Sequence, residues 1–392
     1  MTPTDNPTYD VVVVGGGVCG LVVAWRAAQH GMRVCVLERG TLGAEASAAA
    51  AGMLAPVSEA EAAEPALARL GLESVRRWPA FAAELRETSG LDVGLRDVGT
   101  LLLARDRDEA QALDRERVLR ERLGLEAFAL PPSRARALEP SLVPSLRAAL
   151  EIPGDHCVDP RALCAALACA VERAGVGLRT GAAVARVLVE DGRARGVELI
   201  GGERVGGAKL VLATGAWSGA IEGLPPEARV PVRPVKGQVI GLRDPRHDAS
   251  APLLDRVVRF EGGYIVPRGD GRYVLGASVE ERGFDKSVTA LAIYELLRDA
   301  HELVPGVLEL DVVETRAGLR PGTPDNAPIL GPSPVLGDLV WATGHHRNGI
   351  LLSPLTGDLV VEVLAGGQAA GDGGENGIPA AFSPGRFAEV SR

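Results

Sequence analysis

The sequence predicts a two-domain protein, with a Rossmann-like α/β domain and an α+β domain built on a mostly antiparallel sheet. Three observations lead to this prediction. A strand, a glycine-rich turn, a helix and a second strand follow one another between Tyr9 and Glu38. From Val230 to Gly276 the strands alternate polar and apolar residues, as antiparallel strands do. After Leu339 the chain returns to a strand, a glycine-rich turn and a closing helix.

The length of 392 residues and the 46% share of hydrophobic residues allow two domains with substantial cores. The first domain is predicted to be discontinuous, because the chain leaves it and returns twice. It takes residues 1–90, 155–228 and 322–392. The second domain, which would bind the substrate, takes residues 91–154 and 229–321.

Charge and cysteine usage exclude several classes of function. The net charge of -9 is spread along the chain, and no basic stripe with interleaved aromatic residues indicates a nucleic-acid partner. Five cysteines without a C-x-x-C pair or metal-ligand spacing favour a reducing cytosol over a disulfide framework. The amino end lacks the order of a signal peptide, and glycines interrupt the longest apolar segment, Val11 to Ala28. We expect a cytoplasmic protein without a membrane span.

Apolar residues at helical spacing predict surface helices at 58–89 and 107–122, and a later helix at 289–303. Asp159 is the expected N-cap of another helix, because a proline follows it, and that helix should end at Gly175.

Two turns are also predicted from local signals. Asp191 and Gly192 stand between two strand-like runs, as in a β-hairpin. The buried strand of "KLVLATGAWSG" runs into a glycine turn at Gly215, which is a candidate for cofactor contact.

The glycine turn near the amino end carries the first functional signal. Gly15, Gly17 and Gly20 form G-x-G-x-x-G directly after a strand and at the start of a helix. In this position the backbone amides and the helix dipole can hold a pyrophosphate. Glu38 closes the second strand, where a carboxylate can accept hydrogen bonds from ribose hydroxyls. The pattern predicts a dinucleotide, either NAD or FAD.

A run of small residues, "SAAAAGMLAP" from Ser47 to Pro56, bears on the choice between these two cofactors. Where side chains are nearly absent, the backbone can approach a flat ring system closely. The start of an alanine-rich helix would have the same composition. Taken alone, the run leaves both interpretations open.

Three further motifs carry a resemblance to a known family. They are "GGYIVPR" (262–268), "AGLRPGTPDNAPILGPSP" (317–334) and "ATGHHRNGILLSP" (342–354). With the small-residue run, they resemble the glycine oxidase branch of the D-amino acid oxidase family of flavoproteins. The likeness extends from Tyr9 to about Leu364. It implies the fold of that family and FAD as the cofactor.

The resemblance also implies how the cofactor is held. No cysteine lies between Thr315 and Arg392, whereas the related sarcosine oxidases attach their flavin through cysteine, so we expect FAD to bind without a covalent link. Besides the glycine turn, the expected FAD contacts are Val18, Cys19, Glu38, Arg39, Ala46, Ser47, Ala51, Gly52, Met53, Val184, His345, His346, Arg347, Asn348, Gly349, Ile350 and Leu351.

Three residues are implied as catalytic: Arg320 would bind the substrate carboxylate, Tyr264 would face the substrate, and Arg347 would lie near the flavin and the substrate. Arginine suits position 320, because a guanidinium grips a carboxylate at two points and fixes its orientation, whereas lysine acts as a single charge. Two plainer interpretations stay open. Arg320 could form a salt bridge with Asp325 or Glu314, and Tyr264 could be a core residue of its strand.

The adjacent His345 and His346 could also be read as metal ligands or as an acid–base pair. Neighbouring histidines usually point apart, and no third ligand stands at a suitable spacing. We expect backbone contact with the flavin here and no metal site.

The resemblance implies oxidative deamination of a small amino acid such as glycine, sarcosine, D-alanine or D-proline. The products would be the imine or 2-oxo acid, ammonia and, from oxygen, hydrogen peroxide. In glycine oxidases the imine feeds assembly of the thiamin thiazole, and relatives often form dimers or tetramers.

Three alternatives remain at this point. The first is a dehydrogenase that passes electrons from a D-amino acid or secondary amine to a quinone or carrier. The second is a flavin-binding structural or sensor module without turnover. The third is an NAD-dependent dehydrogenase, which depends on the glycine turn alone.

Overall fold

The computed structural model describes residues 9–366 and 377–387. Within these ranges the chain forms two eight-stranded sheets, a two-stranded ribbon and eight α-helices. The strands are β1 (Tyr9–Val14), β2 (Val34–Leu37), β3 (Met53–Leu54), β4 (Thr100–Ala104), β5 (Phe128–Leu130), β6 (Ala148–Ile152), β7 (His156–Cys157), β8 (Gly177–Arg179), β9 (Val184–Glu190), β10 (Arg193–Leu199), β11 (Arg204–Leu212), β12 (Arg233–Arg243), β13 (Val257–Phe260), β14 (Gly263–Pro267), β15 (Arg272–Gly276), β16 (Asp311–Gly322), β17 (Ile329–Pro332) and β18 (Leu339–Thr343). The helices are α1 (Val18–Gln29), α2 (Ala46–Ala49), α3 (Pro65–Ser89), α4 (Arg107–Arg122), α5 (Pro132–Leu138), α6 (Pro160–Arg173), α7 (Ala290–Leu303) and α8 (Ser353–Leu364).

The first sheet has the strand order β17-β18-β11-β1-β2-β8, and the β9–β10 hairpin extends from β11. Strand β1 lies between β2 and β11 and is parallel to both. Its residues Val11 to Val14 are buried on both faces, which explains why the run is apolar without alternation. Val11 and Val13 pack against α1, α3, α6 and α8, while Val12 and Val14 pack on the hairpin side. The predicted βαβ unit is confirmed.

Two predictions made from neighbouring residues, a helix cap and a hairpin turn, are confirmed. The Asp159 carboxylate accepts hydrogen bonds from the backbone N–H groups of Arg161 (3.0 Å) and Ala162 (3.3 Å), so it caps α6 as expected. Asp191 and Gly192 both adopt positive φ, at 49° and 71°, and connect β9 to β10.

The helix predicted at 58–89 begins later, at Pro65. The preceding segment is held in another conformation by the buried carboxylate of Asp155, which accepts hydrogen bonds from Val57 N (3.1 Å) and Ser58 N (3.2 Å). Proline suits the first turn of a helix, since it has no N–H to leave unpaired. The apolar periodicity therefore extended about two turns too far toward the amino terminus, into residues that precede the true start of α3.

The second sheet has the order β16-β12-β15-β14-β13-β4-β6-β5. Among the described strands of this sheet, β13 and β4 pair in parallel, and every other pair is antiparallel. Ile240, Ile265 and Leu275 pack with α7 on one face, whereas Val239 and Tyr264 face the opposite side. This alternation confirms the predicted α+β sheet, and with the first sheet it confirms the fold class.

Along the described chain, none of the helices combines the length and the apolar character needed to cross a bilayer.

Candidate active site

A cavity of about 460 Å³ lies between the glycine turn of the first sheet and the free face of the second. Most of the predicted site residues line it. These are Gly17, Val18, Cys19, Ala46, Ser47, Ala51, Gly52, Met53, Gly215, Tyr264, Arg320, His345, His346, Arg347, Gly349 and Ile350. The other predicted residues, Gly15, Gly20, Glu38, Arg39, Val184, Asn348 and Leu351, lie outside its lining.

The glycine turn brings the start of α1 to the cavity wall. Gly15 has φ of +108°, and a side chain on Gly20 would overlap the Gly15 carbonyl, so both glycines allow the tight turn. Gly17 is the N-cap of α1 without a capping side chain, and the first turn carries no acidic residue. The Val18 N–H donates to Ser47 Oγ at 3.0 Å, and the remaining N–H groups at the positive end of the helix dipole suit a pyrophosphate.

Glu38 and Arg39 lie just beyond this turn. The two oxygens of the Glu38 carboxylate accept hydrogen bonds from Gly16 N and Gly40 N, both at 2.8 Å, so the side chain is held beside the turn. Arg39 pairs with Glu45 at 2.8 Å, and its guanidinium lies 3.6 Å from the ring centre of Trp217. Both residues therefore lie just beyond the end of β2, outside the cavity lining, and Glu38 is held beside the glycine turn.

The small-residue run forms the wall opposite the second sheet. It is neither a long helix nor a plain loop: α2 ends at Ala49, and the chain then extends into β3. A side chain on Gly318 of β16 would overlap the Ala49 methyl group, so the two elements approach as closely as they do only because position 318 has no side chain. Ala49 and Gly318 both line the cavity, so this contact forms a wall nearly free of side chains, which suits the close approach of a planar ring system.

The turn from Gly344 to Leu351 closes another side of the cavity. Burial lowers the pKa of His345 and of His346 to about 4, so both rings are neutral near pH 7. His345 Nε2 lies 2.9 Å from Thr356 Oγ1, and His346 N donates to Pro321 O at 2.9 Å. The second bond joins this turn to the strand that carries Arg320. Within the described residues, no group of three or more His, Cys, Asp or Glu side chains could hold a metal ion.

Arg320 faces the cavity from β16. Its partner across the antiparallel pair with β12 is Val235, and Gly237 stands two residues further along the same face. Arg320 Nη1 donates to the carbonyl oxygens of Ser278 (3.1 Å) and Lys236 (3.3 Å). These contacts use only part of its five N–H donors.

The salt bridges that offered a plainer role for Arg320 do not form. Glu314 pairs with Arg161 at 2.8 Å and with Arg316, and Asp325 pairs with Arg386 at 2.8 Å. No acidic side chain in residues 9–366 or 377–387 forms an ion pair with Arg320. Its charge is therefore available to an anionic ligand.

Tyr264 lies on the same face, on β14. It stands opposite Gly276 of β15, which in turn stands opposite Val239 of β12. A β-carbon on Gly276 would be 2.8 Å from the Tyr264 hydroxyl oxygen, so the phenol lies over this glycine and reaches into the cavity. Burial raises the pKa of Tyr264 above its ordinary value, and Arg320 opposes this shift. The hydroxyl stays protonated and can donate a hydrogen bond.

Arg347 lies at the rim and is already engaged. Its guanidinium pairs with Glu61 at 2.6 Å and with Glu59 at 3.4 Å. It lines the cavity as expected, but as part of an ion-pair cluster rather than as a free cation.

Sequence reasoning missed two charged residues of the cavity, Glu59 and Arg259. Arg259 had a signal, because it interrupts the apolar run "VVRF" of β13. Glu59 had none, since it was assigned to a surface helix. The glycines in the middle of β12 and β16, Gly237 and Gly318, also mark the site, because a glycine inside a strand often allows a close approach.

The glycine turn, the start of α1 and the cavity beside them define the class of this protein. It is an oxidoreductase that uses a bound dinucleotide.

The comparison with known families is more specific. The profile of the DAO family, described as FAD dependent oxidoreductase, matches residues 10–363. The chain belongs to this family, and FAD is its cofactor. This confirms the resemblance seen in the motifs and removes the NAD-dependent alternative.

Individual relatives are similar to this protein along nearly the whole chain. The glycine oxidase of Geobacillus kaustophilus is 39% identical over 369 residues, which is 93% of this chain and 95% of that protein. The crystal structure of glycine oxidase from Geobacillus kaustophilus superposes with a TM-score of 0.87 at 38% identity, covering 96% of this chain and 98% of that one. The bifunctional protein ThiO/ThiG of Trichormus variabilis is 36% identical over 357 residues, 91% of this chain but 53% of that longer protein.

Proposed function

We propose that the protein catalyses the FAD-dependent oxidative deamination of glycine or another small amino acid, such as sarcosine, D-alanine or D-proline. The products are hydrogen peroxide and the imine, which water converts to the 2-oxo acid with ammonia from a primary amine or the corresponding amine from a secondary one. The observation that carries this proposal is the Arg320 guanidinium, which lines the cavity and has no acidic partner among the residues that the structure describes. The names of the glycine oxidase relatives support it.

In this proposal Arg320 holds the substrate carboxylate through two parallel hydrogen bonds and so fixes which way Cα points. The protonated Tyr264 hydroxyl adds a third donor. Bound FAD would supply the acceptor for the Cα hydrogen and its two electrons, and oxygen would take up these electrons as hydrogen peroxide. The protein's own part is mainly to bind and orient the acid.

The substrate amine has to be neutral before it can form an imine. The positive charges of Arg320 and Arg347 lower the pKa of an amine nearby, while Glu59 partly offsets them. His345 and His346 remain neutral at pH 7 and add no further cation. Because a pKa of about 4 makes these imidazoles weak bases, and no free carboxylate is assigned as acceptor, the amine proton leaves to water.

The resemblance to glycine oxidases also supports a biosynthetic role, in which the imine is supplied to thiamin thiazole assembly. The fused ThiO/ThiG relative is consistent with this role, since a chain similar to this one is joined there to a second module.

The test is an anaerobic titration of the purified yellow protein with a panel of small amino acids, followed by a peroxide assay in air. Flavin bleaching by glycine, sarcosine, D-alanine or D-proline, with stoichiometric peroxide, is the expected result. Reduction of a dye without peroxide would instead identify the dehydrogenase that passes electrons to a quinone or carrier. A flavin that no amino acid bleaches would indicate a binding or sensor module.

Arg320 is tested by replacement with alanine and with lysine. Both variants should retain flavin, while kcat/KM falls roughly a hundredfold or more, because two charge-assisted hydrogen bonds are lost or misplaced. Arg243→Ala is the matched control, since Arg243 is exposed at the far end of β12. Unchanged kinetics in Arg320→Ala would remove its assigned role.

A further inference from the structure

Arg259 occupies a defined place on the cavity face of the second sheet. In the β13–β14 pair it stands directly opposite Tyr264. Residues opposite each other in an antiparallel pair project from the same face, so Arg259 and Tyr264 both point toward the cavity, and both line it. The strand order β16-β12-β15-β14-β13 then places Tyr264 between Arg320 and Arg259.

The guanidinium of Arg259 has donors to spare. In the described part of the chain its Nη1 makes one hydrogen bond, to Ser58 O at 2.5 Å. Its approach to Glu59 Oε1, at 3.7 Å, is longer than a hydrogen bond. Since an arginine carries five N–H donors, most of them are free for a ligand. Arg347 differs, because Glu61 lies 2.6 Å from its guanidinium.

The charged side chains at the substrate end of the cavity also favour an anionic ligand. Arg259, Arg320 and Arg347 line it together with Glu59, and Glu61 pairs with Arg347 at the rim. Three arginines and two glutamates leave one positive charge. Glycine brings a single carboxylate, which Arg320 takes up, whereas an amino acid with a second carboxylate brings one more negative charge and an acceptor for the unused donors of Arg259. A buried N–H donor without an acceptor is unfavourable.

We propose that Arg259 forms a second anion site in the substrate cavity, and that the preferred substrates are amino acids or secondary amines with two carboxylates. One carboxylate binds Arg320 and the second binds Arg259, with Tyr264 between them. D-Aspartate and iminodiacetate have this chemistry. The proposal deepens the amino acid oxidation proposed above and rests on it.

The first test measures binding alone and needs no turnover. The holoenzyme is titrated with pairs of acids of equal length, succinate against butyrate and glutarate against pentanoate, and the flavin spectrum reports the Kd. Wild-type protein should bind the better dicarboxylate at least tenfold more tightly than its monocarboxylate partner.

Three variants sharpen this test. Arg259→Gln should reduce the preference for the dicarboxylate about tenfold, and Arg259→Lys should keep part of it, because the charge remains. Arg243→Gln removes an exposed arginine of the same sheet and should leave the preference as in wild type. Thermal unfolding confirms that each variant is folded. Equal binding of the paired acids by wild type, or an intact preference in Arg259→Gln, would overturn the second anion site.

The second test compares anaerobic flavin reduction by D-aspartate and iminodiacetate with reduction by glycine and D-alanine. A higher kcat/KM for one of the dicarboxylates, with a ratio to D-alanine that falls at least tenfold in Arg259→Gln, is the expected result. Bleaching by glycine or D-alanine but not by the dicarboxylates would end this inference and leave the proposed function standing. If no amino acid bleaches the flavin, the proposed function fails, and the preference for dicarboxylic substrates fails with it.

Discussion

The guanidinium of Arg320 lies against the backbone of Gly237 on the neighbouring strand, so that a β-carbon on Gly237 would stand 2.5 Å from Arg320 Nη2. The pairing of β12 with β16 produces this contact, because Gly237 follows the cross-strand partner of Arg320 by two residues. The missing side chain gives the guanidinium its position in the cavity.

The replacement Gly237→Ala should therefore impair substrate binding indirectly, because the new methyl group would contact Arg320 and not the substrate. The methyl group would push the guanidinium aside, and a displacement of about 1 Å in a positioning group can reduce kcat/KM by roughly a hundredfold. Kinetics with the preferred amino acid measure this, and the flavin absorbance checks that cofactor is retained. Gly154→Ala is the control, because nothing lies within 4 Å of a β-carbon there. Wild-type kinetics in Gly237→Ala would mean that Arg320 is not held by this contact.

Tyr264→Phe tests the phenol. One hydrogen bond to the carboxylate is worth about 1 kcal/mol, so KM should rise roughly fivefold while the protein remains as stable as wild type. Because burial raises the Tyr264 pKa above its ordinary value, the effect should be the same from pH 7 to pH 9. An unchanged KM together with a loss of stability would identify Tyr264 as a core residue instead.

Gly318→Ala tests the close contact between β16 and α2. A β-carbon here would overlap the Ala49 methyl group, so α2 would have to move and the wall of the predicted flavin site would shift. We expect weaker FAD binding by about tenfold, seen as a lower flavin content after purification and a higher Kd for added FAD. Gly206→Ala provides a glycine in a strand whose β-carbon would make only an ordinary contact at 3.7 Å. Full flavin content in Gly318→Ala would show that this wall does not limit cofactor binding.

His345 should make the holoenzyme less stable in acid. Burial lowers its pKa from 6.5 to about 4, so between these values the unfolded chain binds a proton that the folded protein excludes. Its contribution is complete above pH 6.5 and is lost as the pH falls toward 4, with a slope of up to about 1.4 kcal/mol for each pH unit.

Urea unfolding at pH 5 and pH 7 measures this slope in wild type and in His345→Gln, which should show a smaller difference between the two pH values. The buried Asp155 carboxyl, whose pKa is raised to about 6, acts in the opposite direction but is common to both proteins. Identical pH dependence in the two proteins would contradict the assignment to His345.

Much of the fold could be predicted because its signals are local. The βαβ unit, the cap at Asp159 and the hairpin turn at Asp191 depend on residues a few positions apart, and each was found where expected. The start of α3 could not be predicted in this way. The conformation before Pro65 depends on Asp155, about a hundred residues further along the chain.

The candidate site also combines residues that the sequence indicated with relations that only the structure shows. Arg320 and Tyr264 were indicated by a family resemblance, which encodes long-range structure indirectly. The relations that give them their positions, Arg320 with Gly237 and Tyr264 with Gly276, exist only once strand registers are known. Arg259 enters the cavity for the same reason: its interruption of the apolar run of β13 marks it in the sequence, but only the strand pairing places it beside Tyr264.

The hydrogen-bond ladder between β12 and β16 therefore does more than hold a sheet together. Side chains alternate between faces along a strand, so a slip of a single residue would turn the guanidinium at position 320 from the cavity toward α7. In the proposed function, selection of an acid by Arg320 depends on backbone pairing as much as on the identity of the side chain. Changes that loosen the sheet far from the cavity should then weaken substrate binding before they unfold the protein.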